Sequence, residues 1–237
     1  MNPLAQLLPD PLALLFPRLC VICSAPLQEE QTVCDSCLAD LVPVNPADLH
    51  LQKDVKAAVD GIWSAFWFDD VMQELIHLLK YRGHRRLGVR LAAAAHGVLS
   101  EKIAWHSYDA LVPVPLHRRK QRERGYNQAL VLTAGLAGLV GLPVMDRLVV
   151  RHRWTRSQTG LTRDQRLANV AGSFRATRRC DGQKILLMDD VLTTGATAAA
   201  CGAALKAGGA EEVAVITVAT PPPDGLTSAA GIEPDAV

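Results

Sequence analysis

The chain has 237 residues, of which 49% are hydrophobic and 21% are charged, and its formal net charge is +1. This composition is ordinary for a globular protein with a core of normal size, and the near-neutral charge excludes a protein that coats nucleic acid with its whole surface. No uninterrupted apolar run reaches the length of about 18 residues that a membrane-spanning helix needs, so the sequence predicts no membrane span.

The first 17 residues are apolar and interrupted by prolines, and they contain no Lys or Arg. A secretory signal begins with basic residues and ends at a cleavage site of small residues. We therefore expect a short amphipathic helix that packs on the body of the protein. We also expect a cytoplasmic location, where thiols remain reduced.

Four of the six cysteines form two Cys-x-x-Cys pairs, Cys20 with Cys23 and Cys34 with Cys37. Two such pairs can hold four thiolates in a tetrahedron around Zn²⁺, which leaves no open position for chemistry. Metal binding would supply the folding free energy that the few apolar residues of this segment cannot supply. The pattern thus favours a structural zinc site, with an iron–sulfur cluster or two disulfides as the alternatives.

Beyond a polar stretch at 43–54, apolar strands alternate with helices. The strands are expected near 61–68, 110–114, 144–150, 184–188 and 212–219, and the helices near 71–79, 87–103, 126–140 and 196–207. This alternation predicts an α/β fold with a parallel sheet and helices on both faces. We divide the chain into a zinc module at 1–50, an α/β domain at 51–220 and a proline-bearing, disordered tail at 221–237.

The most informative segment is 184–197, which reads KILLMDDVLTTGAT. A buried strand delivers Asp189 and Asp190 to its carboxyl end, where ligands of open α/β sheets bind. A small loop then opens a helix, whose first N–H groups and positive dipole end attract a phosphate. The two carboxylates are expected to accept hydrogen bonds from ribose hydroxyls. The alternative is a plain strand end followed by an ordinary helix cap. The predicted phosphate-binding residues are Val191, Leu192, Thr193, Thr194, Gly195, Ala196 and Thr197.

This segment resembles the 13-residue phosphoribosyl-pyrophosphate motif of type I phosphoribosyltransferases. Four further blocks, together with the cysteine pairs, resemble the ComF family of competence-associated phosphoribosyltransferase-like proteins. These blocks are LKYRG at 79–83, VPVP at 112–115, RGYNQ at 124–128, and Arg156-x-Gln158 with Arg166-x-x-Asn169. The resemblance runs from about residue 16 to residue 219. It implies a type I phosphoribosyltransferase-like domain behind a small zinc-ribbon module, in a family linked to natural transformation, DNA uptake or the use of external DNA.

The resemblance also implies a loop after residue 113 that binds pyrophosphate, mostly through backbone N–H groups. Two basic stretches, 117–125 and 151–166, flank the predicted anion site. They could close over a pyrophosphate or bind a nucleic-acid backbone, or they could be ordinary solvated loops. The candidate pyrophosphate-binding residues are Lys80, Val114, Pro115, Leu116, Arg118, Arg124 and Arg156.

Three functions remain open from the sequence. The first is an enzyme that binds phosphoribosyl pyrophosphate with Mg²⁺ and transfers ribose 5-phosphate. There, Asp189 and Asp190 would favour the positively charged sugar ring of the transition state. The second is a non-catalytic module that binds single-stranded DNA or DNA-uptake proteins on the same fold. The third is a sensor that binds phosphoribosyl pyrophosphate and regulates a partner.

Overall fold

A computed structural model of the chain describes residues 18–27, 31–49, 53–153, 169–170 and 172–223, although side chains 53, 54 and 56 are not described. It divides into two compact units, 1–40 and 41–237, which are described separately below. Several predictions lie outside the described residues: the amphipathic helix at 1–17, Arg156 with the rest of 154–168, and the tail from residue 224 onward.

The first unit contains one short helix, α1 (Asp35–Ala39), among its described residues. The Cys34 side chain caps this helix, because its Sγ accepts the N–H of Cys37. Leu19 and Pro26 form an isolated antiparallel bridge that closes the first turn of the unit. Val33 is fully buried. With so little apolar burial in its described part, this unit needs another source of stability.

The second unit is built around a parallel sheet. Its strands are β1 (Gly61–Trp67), β2 (Ala110–Pro113), β5 (Lys184–Val191) and β6 (Glu212–Thr220), in the order β1-β6-β5-β2. A separate antiparallel ribbon pairs β3 (Val149–Arg151) with β4 (Phe174–Ala176). The helices are α2 (Lys53–Ala58), α3 (Asp70–Tyr81), α4 (Arg85–Leu99), α5 (Arg118–Arg124), α6 (Gln128–Val140) and α7 (Ala196–Ala207).

Strands β5 and β6 are almost wholly buried, as their continuous apolar runs require in a sheet that is covered on both faces. On one face, Ile185 and Leu187 of β5 join a core cluster with Val55 of α2 and Leu205 of α7. Helix α6 packs on β2 and β5, and α4 packs on β1. The predicted fold class, a parallel sheet with covering helices behind a small zinc module, is confirmed.

The polar stretch after the cysteines has a structural role that its composition did not reveal. Residues 42–44 run antiparallel along β1: the Val44 N–H donates to Ala65 O at 2.9 Å, and the Trp67 N–H donates to Val42 O at 2.9 Å. Without this segment, β1 would present a row of unpaired backbone groups at the edge of the sheet.

Two local predictions differ from the structure. The segment 144–150 was expected to form one strand, but Val144 makes only a single parallel bridge to Leu111, and the strand begins at Val149. The charged segment 117–125 was expected to be a loop, but it contains α5, which begins after the His117 side-chain cap and ends at Gly125 with φ +77°. Within the described ranges, no helix is long and apolar enough to cross a membrane.

Candidate functional site

The loop between β5 and α7 forms the wall of a small open pocket. Its lining residues are Asp189, Val191, Leu192, Thr193, Thr194, Gly195, Ala196, Thr197, Ala198 and Thr217. Asp189 and all seven predicted phosphate-loop residues therefore line one pocket at the carboxyl end of β5. Asp190 is not among the lining residues.

Helix α7 begins without a side-chain cap. Its N-cap residue is Gly195, which has no side-chain acceptor, and its first turn contains no acidic residue. By contrast, Asp69 caps α3 and Asn127 caps α6 through their side-chain oxygens. The first N–H groups of a helix have no intrahelical partners, and they carry the positive end of the helix dipole. The start of α7 can therefore accept an anion such as a phosphate.

Gly195 has two structural reasons to be glycine. Its φ is +74°, in the left-handed region that other residues rarely adopt. A Cβ at this position would also lie 2.7 Å from Cγ2 of Val55 in α2. Val55 thus occupies the space that a Cβ at residue 195 would fill.

Not every predicted phosphate-loop residue has a free backbone donor. The Leu192 N–H donates to Ala219 O at 2.8 Å, and Leu192 O accepts the hydroxyl of Thr220 at 2.9 Å. Leu192 therefore fixes the loop to β6 and cannot give its N–H to a ligand. The Thr194 hydroxyl accepts the N–H of Ala196 at 3.4 Å, which shapes the turn into α7.

The two adjacent carboxylates have different surroundings. Asp190 is 5% exposed, and its Oδ2 lies 2.8 Å from Nζ of Lys80, which is 7% exposed. Burial is the largest influence and would raise the pKa of Asp190, but the charge and hydrogen bond of Lys80, with the hydrogen bond of Asp189 and the charge of Arg124, together lower it. Burial and the neighbouring Asp190 charge raise the pKa of Asp189 well above its usual range. Asp190 is thus an ionised partner of Lys80, and Asp189 is the carboxyl that faces the pocket.

Lys80 was predicted to bind pyrophosphate, but its ammonium group is buried against Asp190. Other cations interact electrostatically with the two carboxyl groups. The charge of Arg124 acts on Asp190, and the charge of Asp189 acts on Arg151 at the end of β3. Burial lowers the pKa of Lys120, and the charges of Arg124, Arg151 and Lys80 lower it further. Arg124 and Arg151 are thus near enough to the aspartates for their charges to interact, and Lys120 is near enough to these two arginines and Lys80.

Arg151 was not among the predicted site residues, although it begins one of the basic stretches. Burial lowers the pKa of its guanidinium group, which lies over the ring of Phe174 at 5.3 Å. Among the described strands β3 pairs with β4 alone, so the local sequence does not indicate that the charge of Asp189 in β5 acts on the last residue of β3. The one sequence feature that could have marked Arg151 as a site residue is its position directly after a short apolar run.

The residues that were predicted to bind pyrophosphate have different contacts and exposures in the structure. The Val114 N–H donates to Met188 O at 2.9 Å, so this predicted anion donor is used by the sheet instead. Pro115 and Leu116 are partly exposed between β2 and α5, and Arg118 is exposed at the start of α5. Arg124 lies over the Tyr81 ring at 5.0 Å. Arg156 lies outside the described residues.

The RGYNQ block is largely structural. The Tyr126 hydroxyl donates to Leu79 O and so holds the end of α3. The Asn127 amide donates to Val114 O at 3.0 Å, while its oxygen accepts the N–H of Ala129 at the start of α6. Asn127 thus ties the end of β2 to α6, which fixes the segment between them beside the aspartates.

In the first unit, the sulfur atoms of the four cysteines all lie within 4.8 Å of one another. The Sγ–Sγ distance is 3.8 Å between Cys20 and Cys37 and 3.6 Å between Cys23 and Cys34. A tetrahedral site with Zn–S bonds of about 2.3 Å has sulfur–sulfur edges of about 3.8 Å, whereas a disulfide needs about 2.05 Å. The four thiols are free of disulfides and fit a structural Zn²⁺.

Backbone donors favour thiolates at this centre. The N–H of Cys34 donates to Cys20 Sγ at 3.4 Å, and the N–H of Cys37 donates to Cys34 Sγ at 3.4 Å. Burial alone would raise the pKa of Cys20, but hydrogen bonds from the backbone of Cys23, Cys34 and Ile22 lower it to about 6. A thiol that ionises readily is a good zinc ligand, because the thiolate is the form that binds metal.

Two family models match this chain. One is a phosphoribosyl transferase domain over residues 127–231, and the other is a double zinc ribbon domain over residues 11–47. They match the two segments that contain the phosphate loop and the four cysteines, respectively.

Several curated proteins are similar to the chain. Competence protein F of Haemophilus influenzae is 31% identical over 55% of this chain and 52% of its own length. The DNA utilization protein YhgH of Salmonella typhimurium is 29% identical over 78% of this chain and 83% of its own length. Competence protein ComFC of Bacillus subtilis is 27% identical over 76% of this chain and 68% of its own length.

Among solved structures, the glutamine phosphoribosylpyrophosphate amidotransferase from B. subtilis, complexed with ADP and GMP, is 19% identical over 56% of this chain and 25% of that chain, with a TM-score of 0.34. The domain matches place a zinc ribbon before a phosphoribosyltransferase domain, in agreement with the four-cysteine centre and the loop at the end of β5. With competence proteins and YhgH as relatives, the chain is similar to the ComF family.

Proposed function

We propose that the chain binds phosphoribosyl pyrophosphate, together with Mg²⁺, in a role in DNA uptake or the use of external DNA. The observation that supports this proposal is the pocket at the end of β5, where an uncapped helix start lies beside Asp189. The names of its relatives, competence protein and DNA utilization protein, support the biological context.

Each part of the ligand has a chemically suitable partner in this pocket. The 5-phosphate would bind the N–H groups and threonine hydroxyls at the start of α7. Asp189 would accept a hydrogen bond from a ribose hydroxyl. Arg124 interacts electrostatically with Asp190, and Arg151 interacts with Asp189. Lys120 in turn interacts with both arginines. These three cations would counter the negative charge of the pyrophosphate, whose Mg²⁺ would supply further positive charge there.

Calorimetry with phosphoribosyl pyrophosphate and Mg²⁺ tests this proposal. We expect saturable binding to the wild-type chain and a loss of up to about tenfold in affinity for Asp189→Asn, since a hydrogen bond between uncharged groups contributes about 0.5–1.5 kcal/mol. Asp189 is the better position than Asp190 because changing Asp190 would also unpair buried Lys80.

Asp181→Asn is a suitable control, because Asp181 is exposed, pairs with Arg179 and is absent from the pocket lining. We expect this variant to bind like the wild type. A wild-type chain that binds neither phosphoribosyl pyrophosphate nor ribose 5-phosphate in the presence of Mg²⁺ would refute the proposed function.

A second candidate function, binding of single-stranded nucleic acid, is supported by the surface of α5. This helix carries five basic residues and one acidic residue in seven positions. Its Arg118 and Arg122 side chains are exposed, and Arg124 packs on Tyr81, which is 55% exposed. Exposed cations beside an aromatic ring can bind a phosphate backbone and stack a base.

If α5 binds a phosphate backbone, the double substitution Arg118→Ser/Arg122→Ser should weaken binding of a single-stranded oligonucleotide. The slope of log affinity against log salt should also fall by about 0.7 for each phosphate group that the variant no longer neutralises. Fluorescence anisotropy at several salt concentrations measures both quantities. Arg147→Ser/Arg178→Ser removes the same charge at the end of the β3–β4 ribbon away from Arg151 and should leave the slope unchanged. Equal slopes for all three proteins would exclude α5 as the binding surface.

A further inference from the structure

The floor of the phosphate-loop pocket contains a buried hydroxyl that the loop motif does not include. Thr217 lies in β6, directly opposite Asp189 of β5 in the parallel register, and is 1% exposed. It lines the same pocket as Asp189 and the start of α7. Among the residues that the structure describes, its Oγ1 has no hydrogen-bond partner.

A buried hydroxyl without a partner is unfavourable, because it has lost its hydrogen bonds to water and gained none from the protein. Folded proteins pair nearly all such groups with protein, water or ligand. The Thr220 hydroxyl, three residues along the same strand, shows the usual arrangement, since it donates to Leu192 O. Thr217 therefore differs from Thr220 of the same strand, because its buried hydroxyl has no hydrogen-bond partner among the described residues.

The partner of Thr217 can be inferred from what faces the pocket. Asp190 is occupied by Lys80 at 2.8 Å and does not line the pocket, so it is poorly placed to bind a second sugar hydroxyl. Asp189 and Thr217 are register neighbours on adjacent strands, where paired side chains project from the same face of the sheet. Together they offer a carboxylate and a hydroxyl side by side below the helix start.

We propose that Thr217 is a ligand-binding residue, whose hydroxyl pairs with a ring hydroxyl of the bound sugar phosphate next to the one held by Asp189. The site then selects phosphorylated sugars with free ring hydroxyls over phosphate anions in general. This inference rests on the proposed function, because it assumes that the phosphate group occupies the start of α7.

The variant Thr217→Val tests the inference, because valine keeps the shape of threonine and removes the hydroxyl. Titrations followed by amide NMR would compare ribose 5-phosphate, which uses the whole site, with inorganic phosphate, which uses only the loop. We expect about a tenfold loss of affinity for ribose 5-phosphate. Inorganic phosphate should bind the variant and the wild type equally.

Two further variants separate a ligand contact from a packing effect. Thr217→Ser keeps the hydroxyl and should retain most of the affinity for ribose 5-phosphate. Ser64→Ala removes the next hydroxyl along the same row of the sheet, which is also buried and without a described partner but does not line the pocket. It should bind both ligands like the wild type. If valine prevents folding, Thr217→Ala provides the same comparison.

Unchanged ribose 5-phosphate affinity in Thr217→Val would overturn the inference. Equal losses for ribose 5-phosphate and inorganic phosphate would also overturn it, since they would make Thr217 a support of the loop and not a sugar contact. A wild-type chain that binds inorganic phosphate but not ribose 5-phosphate would contradict the sugar site alone. A wild-type chain that binds neither would refute the proposed function, and the inference with it.

Discussion

Replacing Lys80 with methionine is expected to lower the free energy of unfolding of the 41–237 unit by about 3–5 kcal/mol, because it leaves the Asp190 carboxylate buried without its ion-pair partner. Methionine fills a similar volume, so the loss comes from the charge and not from a cavity. Urea unfolding followed by circular dichroism measures the change.

The pH dependence of this difference identifies its cause. In the wild-type chain burial would raise the pKa of Asp190, but the charge and hydrogen bond of Lys80, helped by Asp189 and Arg124, lower it overall. The pair therefore stabilises the fold above the usual carboxyl range, and this contribution is lost as pH falls through the lowered pKa. In Lys80→Met, burial alone raises the pKa of Asp190, so its carboxyl is neutral at mildly acidic pH. The stability difference between the two proteins should therefore shrink as pH falls.

Two control variants accompany this experiment. Arg119→Ala breaks the exposed ion pair with Glu123 on α5, whose side chains are 65% and 57% exposed, and should change stability by less than about 1 kcal/mol. Lys80→Met/Asp190→Leu removes both buried charges and should recover much of the loss. A Lys80→Met variant as stable as Arg119→Ala would show that Asp190 does not depend on Lys80.

Sequence analysis predicted the structure best in segments whose conformation depends on residues close together in the chain. A run of four apolar residues before two aspartates, with Thr-Thr-Gly soon after them, is enough to predict β5, the loop and α7. The cysteine spacing likewise predicts a four-sulfur cluster, because each Cys-x-x-Cys fixes the local distance between its own two thiols. In both cases the interacting residues are close in the chain.

The missed features involve residues that are far apart in the chain. The contact of Val55 with Gly195 and the pairing of Thr217 with Asp189 depend on strand order and on the placement of α2. The burial of Lys80 depends on the end of α3 lying close to Asp190 of β5. A single sequence indicates the end of each element but not which elements are neighbours, so these partners could not be predicted from residue spacing.

Helix α5 was missed for a different reason. Its seven residues are almost all charged or polar, so no apolar periodicity marks it as a helix. It is nevertheless fixed at both ends, since the His117 side chain accepts the N–H of Arg119 and Gly125 ends the helix with positive φ. Both cap residues can be recognised in the sequence. The segment was nevertheless predicted to be a loop, because it is highly charged and has no apolar face.

Replacing Cys34 with serine is expected to reduce bound zinc from about one ion per chain to nearly none and to unfold the first unit. The sulfur of Cys34 lies 3.6 Å from that of Cys23, and it also caps α1. Structural zinc sites contribute about 10–16 kcal/mol of binding free energy in small modules, more than a unit of this size gains from its core. Metal analysis of reduced protein measures the zinc, and hydrogen exchange at 18–40 measures the unfolding.

The second unit should remain folded in Cys34→Ser, because its contacts form a separate compact cluster. Hydrogen exchange in β5 and β6 of the same sample tests this directly. Cys180→Ala provides the matched control: Cys180 is a buried cysteine of the second unit, outside the four-sulfur cluster, and its loss should leave the zinc content unchanged. Zinc retained by Cys34→Ser at the wild-type level would contradict a four-thiolate site. Iron in place of zinc in the wild-type protein would instead identify the cluster as iron–sulfur, since both use four cysteine ligands.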